Sequence, residues 1–571
     1  MALSRVHAEA GRVMGAREQR PGAGGRRLHA FNGGVHPEEH KSVSTSRPIQ
    51  PLPLLPRYVV PMRQHIGNPA APLVQVGDKV LKGQMIGLPE GAISVAVHAP
   101  TSGTVLAVGH RPVTHPSGLP DICVEIEADG EDRAVAMAPV DWRAMEPGAL
   151  RAHLRDMGLA GLGGAVFPSH VKLDPGKERK IHTLILNGAE CEPWITCDDL
   201  TMRHHAAEIL AGAAVMRHAL GCETVLVGIE DNKPEAQAAM RAAAEHAGYP
   251  VEVVAVPTRY PGGGGKQLAY TLTGLATPSG GLTTDVGVQV FNVGTAYALH
   301  RAVALGEPML SRIVTVTGHV ARPGNYEVRI GTPIADLLAQ AGGELPEATG
   351  LIIGGPMMGF DLPETAAPVV KAVNCVIVKD RLLFPPPPAP LPCIRCGACA
   401  RACPADLQPF EMYWYAKAKD LGKAQAYSLF DCIECGCCGY VCPSHIPLVG
   451  YYRFAKSEIW AREQEKAAAD AARARHEFRD FRQEREKREK AEKFAAKAKE
   501  TLAATTATAE PGEDPEAARK KAILAAAMEK ARQAKEGVQP KNIDKLTAAQ
   551  QKEIEEIEAR RARAVEEKGT P

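Results

Sequence analysis

Eight cysteines carry the most specific chemistry in this sequence. Cys393, Cys396, Cys399 and Cys403 follow the spacing C-x2-C-x2-C-x3-C; Cys432, Cys435, Cys438 and Cys442 repeat it, and each run closes on a proline, Pro404 or Pro443. In such a run three closely spaced thiolates hold three irons of a cubane, and the fourth, more distant Cys closes the other cluster. The spacing therefore assigns Cys393, Cys396, Cys399 and Cys442 to one [4Fe-4S] cluster, and Cys432, Cys435, Cys438 and Cys403 to a second. Two intervening residues let the chain curl around a face of the cube with its amides turned toward the sulfurs, an approach that Gly397 and Gly436 suit. The prolines, with no N–H and a fixed φ, then end each short helix. Zinc ribbons also use C-x2-C pairs, but zinc takes four ligands and has no use for a third Cys two residues on, twice over. Cys437 is left over inside the second run and reads as a neighbouring thiol with no ligand role.

These runs need a scaffold. At 571 residues the chain is too long for one core, which predicts three or four globular units plus extensions. The 67 basic and 66 acidic residues leave a net charge of +1, so nothing in the global balance argues for nucleic acid. Fourteen cysteines, eight of them in the two runs, indicate a reducing compartment rather than a disulfide framework. Met1 to Arg27 is rich in Arg and Gly and has no apolar h-region, so no secretory signal is read there. No window approaches the run of about 18 apolar residues that a spanning helix needs, so a soluble or peripheral protein is expected.

Along the chain, residues 1–30 read as disordered. From 31 to 135 short β runs punctuated by Gly and Pro, among them Val76–Ile86 and Val97–Val105, predict a small β module. That pair of segments resembles the barrel-sandwich hybrid of biotinyl and lipoyl domains. The connection Gly87–Val97 lacks the lysine such carriers modify, so a structural role is expected rather than a swinging arm.

Residues 140–308 alternate helical segments (150–157, a long Ala-rich one over 202–220) with buried strands (181–186, 224–229, 251–256), which predicts a mostly parallel Rossmann-like sheet covered on both faces. Ligands bind such sheets beyond the carboxyl ends of the strands. One loop there, Gly158–Lys172, is rich in glycine and ends on a cation, a composition suited to phosphate. A second, Asn187–Asp199, carries Glu190 and Glu192, and Thr196-x-x-Asp199 in it reads as a helix capping box. Residues 311–375 predict strands around a turn at Arg322–Gly324, then a helix from Pro333. Phe384–Pro392 reads as a polyproline II spacer before a two-cluster domain over 385–455, and from 460 to 571 the Ala, Lys, Glu and Arg composition predicts solvated, fraying helices with breaks near Pro511 and Pro540.

Taken together, the loop Gly161–Pro168 with Lys172, then Asn187–Pro193, then Phe291–Thr295 resemble the flavin-binding subunit of respiratory NADH dehydrogenase (complex I). With the paired ferredoxin runs downstream and the segment Gly33–Lys41 upstream, residues 30 to 455 are similar to the RnfC family, found in Rnf-type ion-translocating electron transport complexes. The resemblance implies a multidomain α/β plus β architecture: barrel-sandwich hybrid, Rossmann-like flavin domain, β-grasp (SLBB) module, two-cluster ferredoxin domain and helical or disordered tail. It implies that Gly161, Gly163, Gly164, Ala165 and Lys172 hold the FMN phosphate and ribityl chain. Asn187, Glu190, Asn292 and Thr295 would line the isoalloxazine, with Glu190 and Glu192 near the NAD(H) substrate. It further implies an NADH-linked oxidoreductase subunit on the cytoplasmic face of the bacterial inner membrane. Its expected partners are integral membrane and flavin-carrying subunits and a ferredoxin-type cluster subunit, and the ion path lies in those other subunits. Two positions depart from the family pattern: glycine at 265, where a carboxylate that helps position nucleotide is common, and Phe291, where Asn is expected. Both bear on nucleotide affinity rather than on flavin. No side-chain general acid or base is assigned, because the chemistry belongs to the cofactors. The competing readings are a non-catalytic cluster-bearing conduit in the same complex, and a diaphorase subunit of a soluble hydrogenase or formate dehydrogenase.

Overall fold

The computed structural model describes residues 26–176, 179–506 and 514–536. The expected break near Pro511, the one near Pro540 and most of the leader read as disordered lie outside the described residues. Residues 26–30 of that leader are ordered. Arg26 pairs with Glu252, Leu28 is buried, and the His29 amide donates to the Thr271 carbonyl at 3.0 Å.

The first module packs a four-stranded sheet, in the order Arg57–Pro61, Asp121–Ala128, Gly103–Arg111, Lys79–Val80, on a three-stranded one of Ala71–Pro72, Met85–Leu88 and Val97–His98. Tyr58 and Val60, Val124 and Ile126 alternate inward and meet Ile86 and Val97 from the facing sheet. The connection without a lysine leaves this sandwich at Leu88 and returns at Val97, against the next module.

In that module four strands are all parallel, in the order Val251–Val256, Thr224–Glu230, Thr183–Gly188, Val288–Asn292. Successive residues of the central strand serve opposite faces. Leu184 and Leu186 join a core with Leu150, Leu210 and Phe291, while Ile185 joins a second with Leu226, Val254 and Leu268. A parallel sheet covered by helices on both sides requires this. The helix expected over 202–220 is two, Cys197–His204 and Ala206–Leu220, broken where His205 takes φ −130°.

The β-grasp module is larger than its sequence boundary. Its six-stranded sheet runs Gln50–Pro51, Gly324–Arg329, Ser311–Gly318, Cys375–Lys379, Gly350–Ile353, Phe360–Leu362. The strand Cys375–Lys379 lies between two others although most of it falls beyond residue 375, and the edge strand comes from the N-terminal segment. Beyond it, the cysteine runs form two short helices, Ala398–Arg401 and Cys437–Tyr440, over a core of Met412, Leu429, Tyr452 and Ala455. The helix Leu448–Thr506 begins in that core and is continuous for 59 residues, exposed from Trp460 to Thr501. Alternating Arg and Glu at i,i+4, as in Arg482–Glu486 and Arg485–Glu489, support this solvated helix. A further helix covers Pro515–Glu536, and no helix among the described residues is long and apolar enough to cross a membrane.

Candidate functional site

The two cysteine runs trace the same backbone. Arg395 and Glu434, Gly397 and Gly436, Asp406 and His445 all take positive φ at equivalent places. Each curl leaves a cavity. One is lined by Cys393, Cys396, Cys399 and Cys442, and the other by Cys403, Cys432, Cys435 and Cys438. Three thiols of one run and the fourth of the other therefore surround each space. Among the described residues no three of these sulfurs lie within 4.8 Å of one another. Tetrahedral zinc, with Zn–S bonds of about 2.3 Å, would draw them to about 3.8 Å. Thiols spread around a cavity fit a larger polynuclear centre instead. As free thiols Cys399 and Cys432 are pushed up to about 11 by burial, so their thiolates call for a positive centre. Cys437 lines neither cavity and is buried beside Val35, Tyr260 and Ala402.

Residues expected around a flavin gather at the carboxyl ends of the parallel strands. Asn187 and Asn292 end adjacent strands as register partners. Asn292 caps the helix Val293–His300, its Oδ1 accepting the Gly294 and Thr295 amides, and its Nδ2 donates to Asp198 at 2.6 Å. The glycine-rich loop folds over this helix start: the Leu162 amide donates to Thr295 Oγ1 at 2.8 Å, and Gly163 stands beside Asn292. At the tip the amides of Gly163, Gly164 and Ala165 donate to no acceptor among the described residues, and a Cβ on Gly164 would meet nothing within 4 Å. Lys172 points inward over the Phe291 ring, with Nζ 4.3 Å from its centroid and one carbonyl, that of Val290, as partner. Burial lowers it to about 8. Free amides and a cation short of a counter-charge fit the phosphate end of a flavin mononucleotide. The phenylalanine that replaces the expected Asn thus supplies an aromatic floor for Lys172.

The acidic loop is built differently from the sequence expectation. Thr196 makes no capping bond; its hydroxyl faces Ser44 and Asn325. The helix Cys197–His204 is capped instead by Glu190, whose carboxylate accepts the amides of Asp198 at 2.6 Å and Asp199 at 3.1 Å. Glu192 is drawn toward the β-grasp module, where its Oε1 accepts the Met357 amide at 2.6 Å and the Met358 amide at 3.0 Å. Burial raises the pKa of both carboxylates, and burial together with Glu190 brings Asp198 to about 7. Glu190, Cys197 and Asp198 bring ligand atoms within 4.8 Å of one another, but both Glu190 oxygens already accept amides, so the trio is a helix cap. Gly265, where a carboxylate is common in the family, opens the helix Gly265–Thr273 in free space.

Three contributors carried little sequence signal. Lys41 donates to the carbonyls of Glu190, Glu192 and Ile195 at 2.7–2.9 Å, holding a loop in which Glu190 and Trp194 take left-handed φ of 50° and 70°. The Tyr260 hydroxyl donates to the Cys435 carbonyl at 2.6 Å, and Cys191 packs into the same apolar contact as Cys435. Gly33 lies so close to the carbonyls of Ala402 and Cys403 that a Cβ would meet them within 2.6 Å.

Comparison with known proteins matches this arrangement module by module. Residues 29–131 match the RnfC barrel sandwich hybrid domain, 154–301 the Nuo51 FMN-binding domain, 313–361 the SLBB domain and 392–446 the 4Fe-4S dicluster domain. The RnfC protein of the ion-translocating oxidoreductase complex in Pseudomonas aeruginosa is 48% identical over 454 residues, which are 79% of this chain and 58% of that protein. Its namesake in Haemophilus influenzae is 44% identical over 79% of this chain and 68% of its own length. A crystal structure of an NAD+-reducing [NiFe]-hydrogenase in the H2-reduced state overlaps 53% of this chain and 61% of that one, at 22% identity and a TM-score of 0.40. With four modules in the same order and near-half identity across them, the chain belongs to the RnfC family of ion-translocating oxidoreductase complexes.

Proposed function

We propose that this chain passes electrons between NAD(H), FMN and two [4Fe-4S] clusters, as an NADH-linked peripheral subunit of a membrane-bound complex whose other subunits translocate an ion. The observation that carries this reading is the pair of four-thiol cavities, each closed by the other run's last Cys, with the Cys435 side of one packed against Cys191 of the acidic loop at the strand ends. Cys393, Cys396, Cys399 and Cys442 are then the ligands of one cluster, and Cys403, Cys432, Cys435 and Cys438 those of the other. FMN, when bound, supplies the exchange between a hydride and single electrons. The chain's part is placement. Amides of Gly163, Gly164 and Ala165 and the Lys172 ammonium bind phosphate. Gly161 shapes the loop, and Asn187, Asn292 and Thr295 hold the strand ends and helix start beneath it. Glu190 and Glu192 fix the loop that faces the nicotinamide nucleotide, and Lys41 holds that loop from behind. With no spanning helix described, membrane contact passes through partners: integral and flavin-carrying subunits and a ferredoxin-type cluster subunit, on the cytoplasmic face of the inner membrane.

The test is cofactor analysis of the anaerobically reconstituted chain, which is expected to hold about eight irons and one non-covalent FMN. Flavin absorbance bleached by NADH supports the oxidoreductase. Bleaching by dithionite alone would favour the conduit reading, which the open glycine at 265 motivates.

A further inference from the structure

The connection of the barrel-sandwich module that lacks a carrier lysine is fastened to both feet of the glycine-rich loop. On the entry side, Arg155 Nε donates to the Ser94 carbonyl at 3.2 Å, and its Nη2 donates to the carbonyls of Pro89 at 3.2 Å and Gly91 at 2.7 Å. The Ala96 amide returns a bond to the Arg155 carbonyl at 3.1 Å. Gly158, with φ +73°, sits so near the Ala96 carbonyl that a Cβ would lie 2.6 Å from it. Lys371 of the β-grasp module joins the two by donating to the carbonyls of Gly158 at 2.6 Å and Ala96 at 3.3 Å. On the exit side, His170 Nε2 meets the Ala92 carbonyl at 3.1 Å, and the Ile66 amide donates to the Val166 carbonyl at 3.4 Å. Val166 takes φ +42°, a conformation that a β-branched residue holds only when its surroundings impose it. Between these two feet the tip, Gly163 to Ala165, keeps its amides free.

A loop of free amides left to itself must be ordered when an anion arrives, and that ordering weakens binding; a loop already held does not carry the cost. We propose that residues 89–98 of the barrel-sandwich module are a fixed clamp on the glycine-rich loop, with Arg155 as the positioning residue, so that this module sets the affinity of the flavin site for the phosphate of FMN. The clamp rests on the flavin reading above. It acts on the end of the ligand that meets the loop amides, so it discriminates FMN from riboflavin, which has the same ring system and no phosphate.

The experiment uses the full chain with both clusters reconstituted, its flavin removed, and measures binding of FMN and of riboflavin by fluorescence quenching. In Arg155→Ala the affinity for FMN is expected to fall about tenfold and that for riboflavin to change less than about twofold, with iron content unaltered. His170→Ala, which releases one bond on the opposite foot, is expected to lower FMN affinity about threefold with the same selectivity, and it keeps the test open should Arg155→Ala fail to assemble. FMN affinity unchanged in both variants would overturn the clamp. So would equal weakening of FMN and riboflavin, which is the signature of general damage. If the unaltered chain binds neither flavin, the flavin reading itself falls, an outcome distinct from variants that bind as tightly as the parent.

Discussion

Two cysteine cages of nearly the same sequence and backbone lie in opposite surroundings. The cage of Cys403, Cys432, Cys435 and Cys438 is walled by another module, where Tyr260 bonds the Cys435 carbonyl and Gln267 the Pro404 carbonyl, and by its own following helix, where Lys456 bonds the Cys432 carbonyl. A Cβ on Gly436 would meet the Met357 carbonyl at 2.8 Å. At the equivalent Gly397 the nearest group is the mobile end of Arg401, at 3.2 Å. The cage of Cys393, Cys396, Cys399 and Cys442 opens outward, with Cys396 exposed and Ile394 and Leu391 at 68% and 60% exposure. Ligand spacing fixes a cage, whereas distant elements decide whether it is an inner or an outer one. On the proposed reading the inner cage faces the flavin loop and the outer cage faces a partner.

The sharpest way to break this contrast is to remove one ligand from each cage. Cys435→Ser and Cys396→Ser should each lose about four irons. In the inner variant NADH should no longer reduce the remaining cluster, while in the outer variant it should still reduce the inner one. EPR of samples frozen after NADH addition reads this directly, and equal behaviour of the two variants would abolish the distinction. A smaller effect is expected from Lys41→Met, which strands three carbonyls behind the acidic loop at a cost of about 3 kcal/mol. The melting temperature should drop and amide exchange should quicken at residues 190–195, with the outer cluster's EPR signal untouched; unaltered exchange there would remove Lys41 from the account.

A gentler perturbation acts on the flavin site by pH. Lys172 is held down to about 8 by burial, and a bound phosphate favours its charged form. Below pH 8 the ammonium is charged before binding; above it a proton must be taken up, so the apparent Kd for FMN should rise with pH, at most about tenfold per unit. A fluorescence titration that stays flat from pH 7 to about pH 9.5 would contradict this. The smallest effects distinguish the cage walls. Tyr260→Phe should cost about 1–2 kcal/mol and shift the inner cluster's potential, because it strands a buried carbonyl. Arg401→Ala, which removes an exposed bond to the Cys396 carbonyl, should stay within about 0.5 kcal/mol and leave both potentials in place.

What the sequence disclosed follows from how local each feature is. The cages were legible because their ligands lie two or three residues apart and the crossing is inherent in the repeat. Alternation likewise foretold the parallel sheet, and glycine placement a loop whose tip holds amides turned away from protein acceptors. Glu190 and Glu192 were recognisable as residues but not in their attachments, since Glu192 meets Met357 and Met358 across another module. Thr196 fitted a capping pattern, yet Glu190, eight residues before Asp198, took the amides first. The Gln50–Pro51 strand had no propensity to announce it, because its partner Tyr326 supplies the pairing.

The hook at Gly33 bears on how the chain must be assembled. Asn32 bonds Asp406 across 374 residues, so a segment made early waits for its partner through most of synthesis, about 20 to 75 s at ordinary elongation rates. During that interval Arg259 and Tyr260 can already hold Gly33 and Val35, but the bonds of Asn32 and Gly34 to residues 402–406 are missing. Ribosome-bound intermediates should therefore be more exposed to proteases at this arm until residues 402–406 emerge, and fragments ending before the first cysteine run should show the same exposure, even though each module has a core of its own.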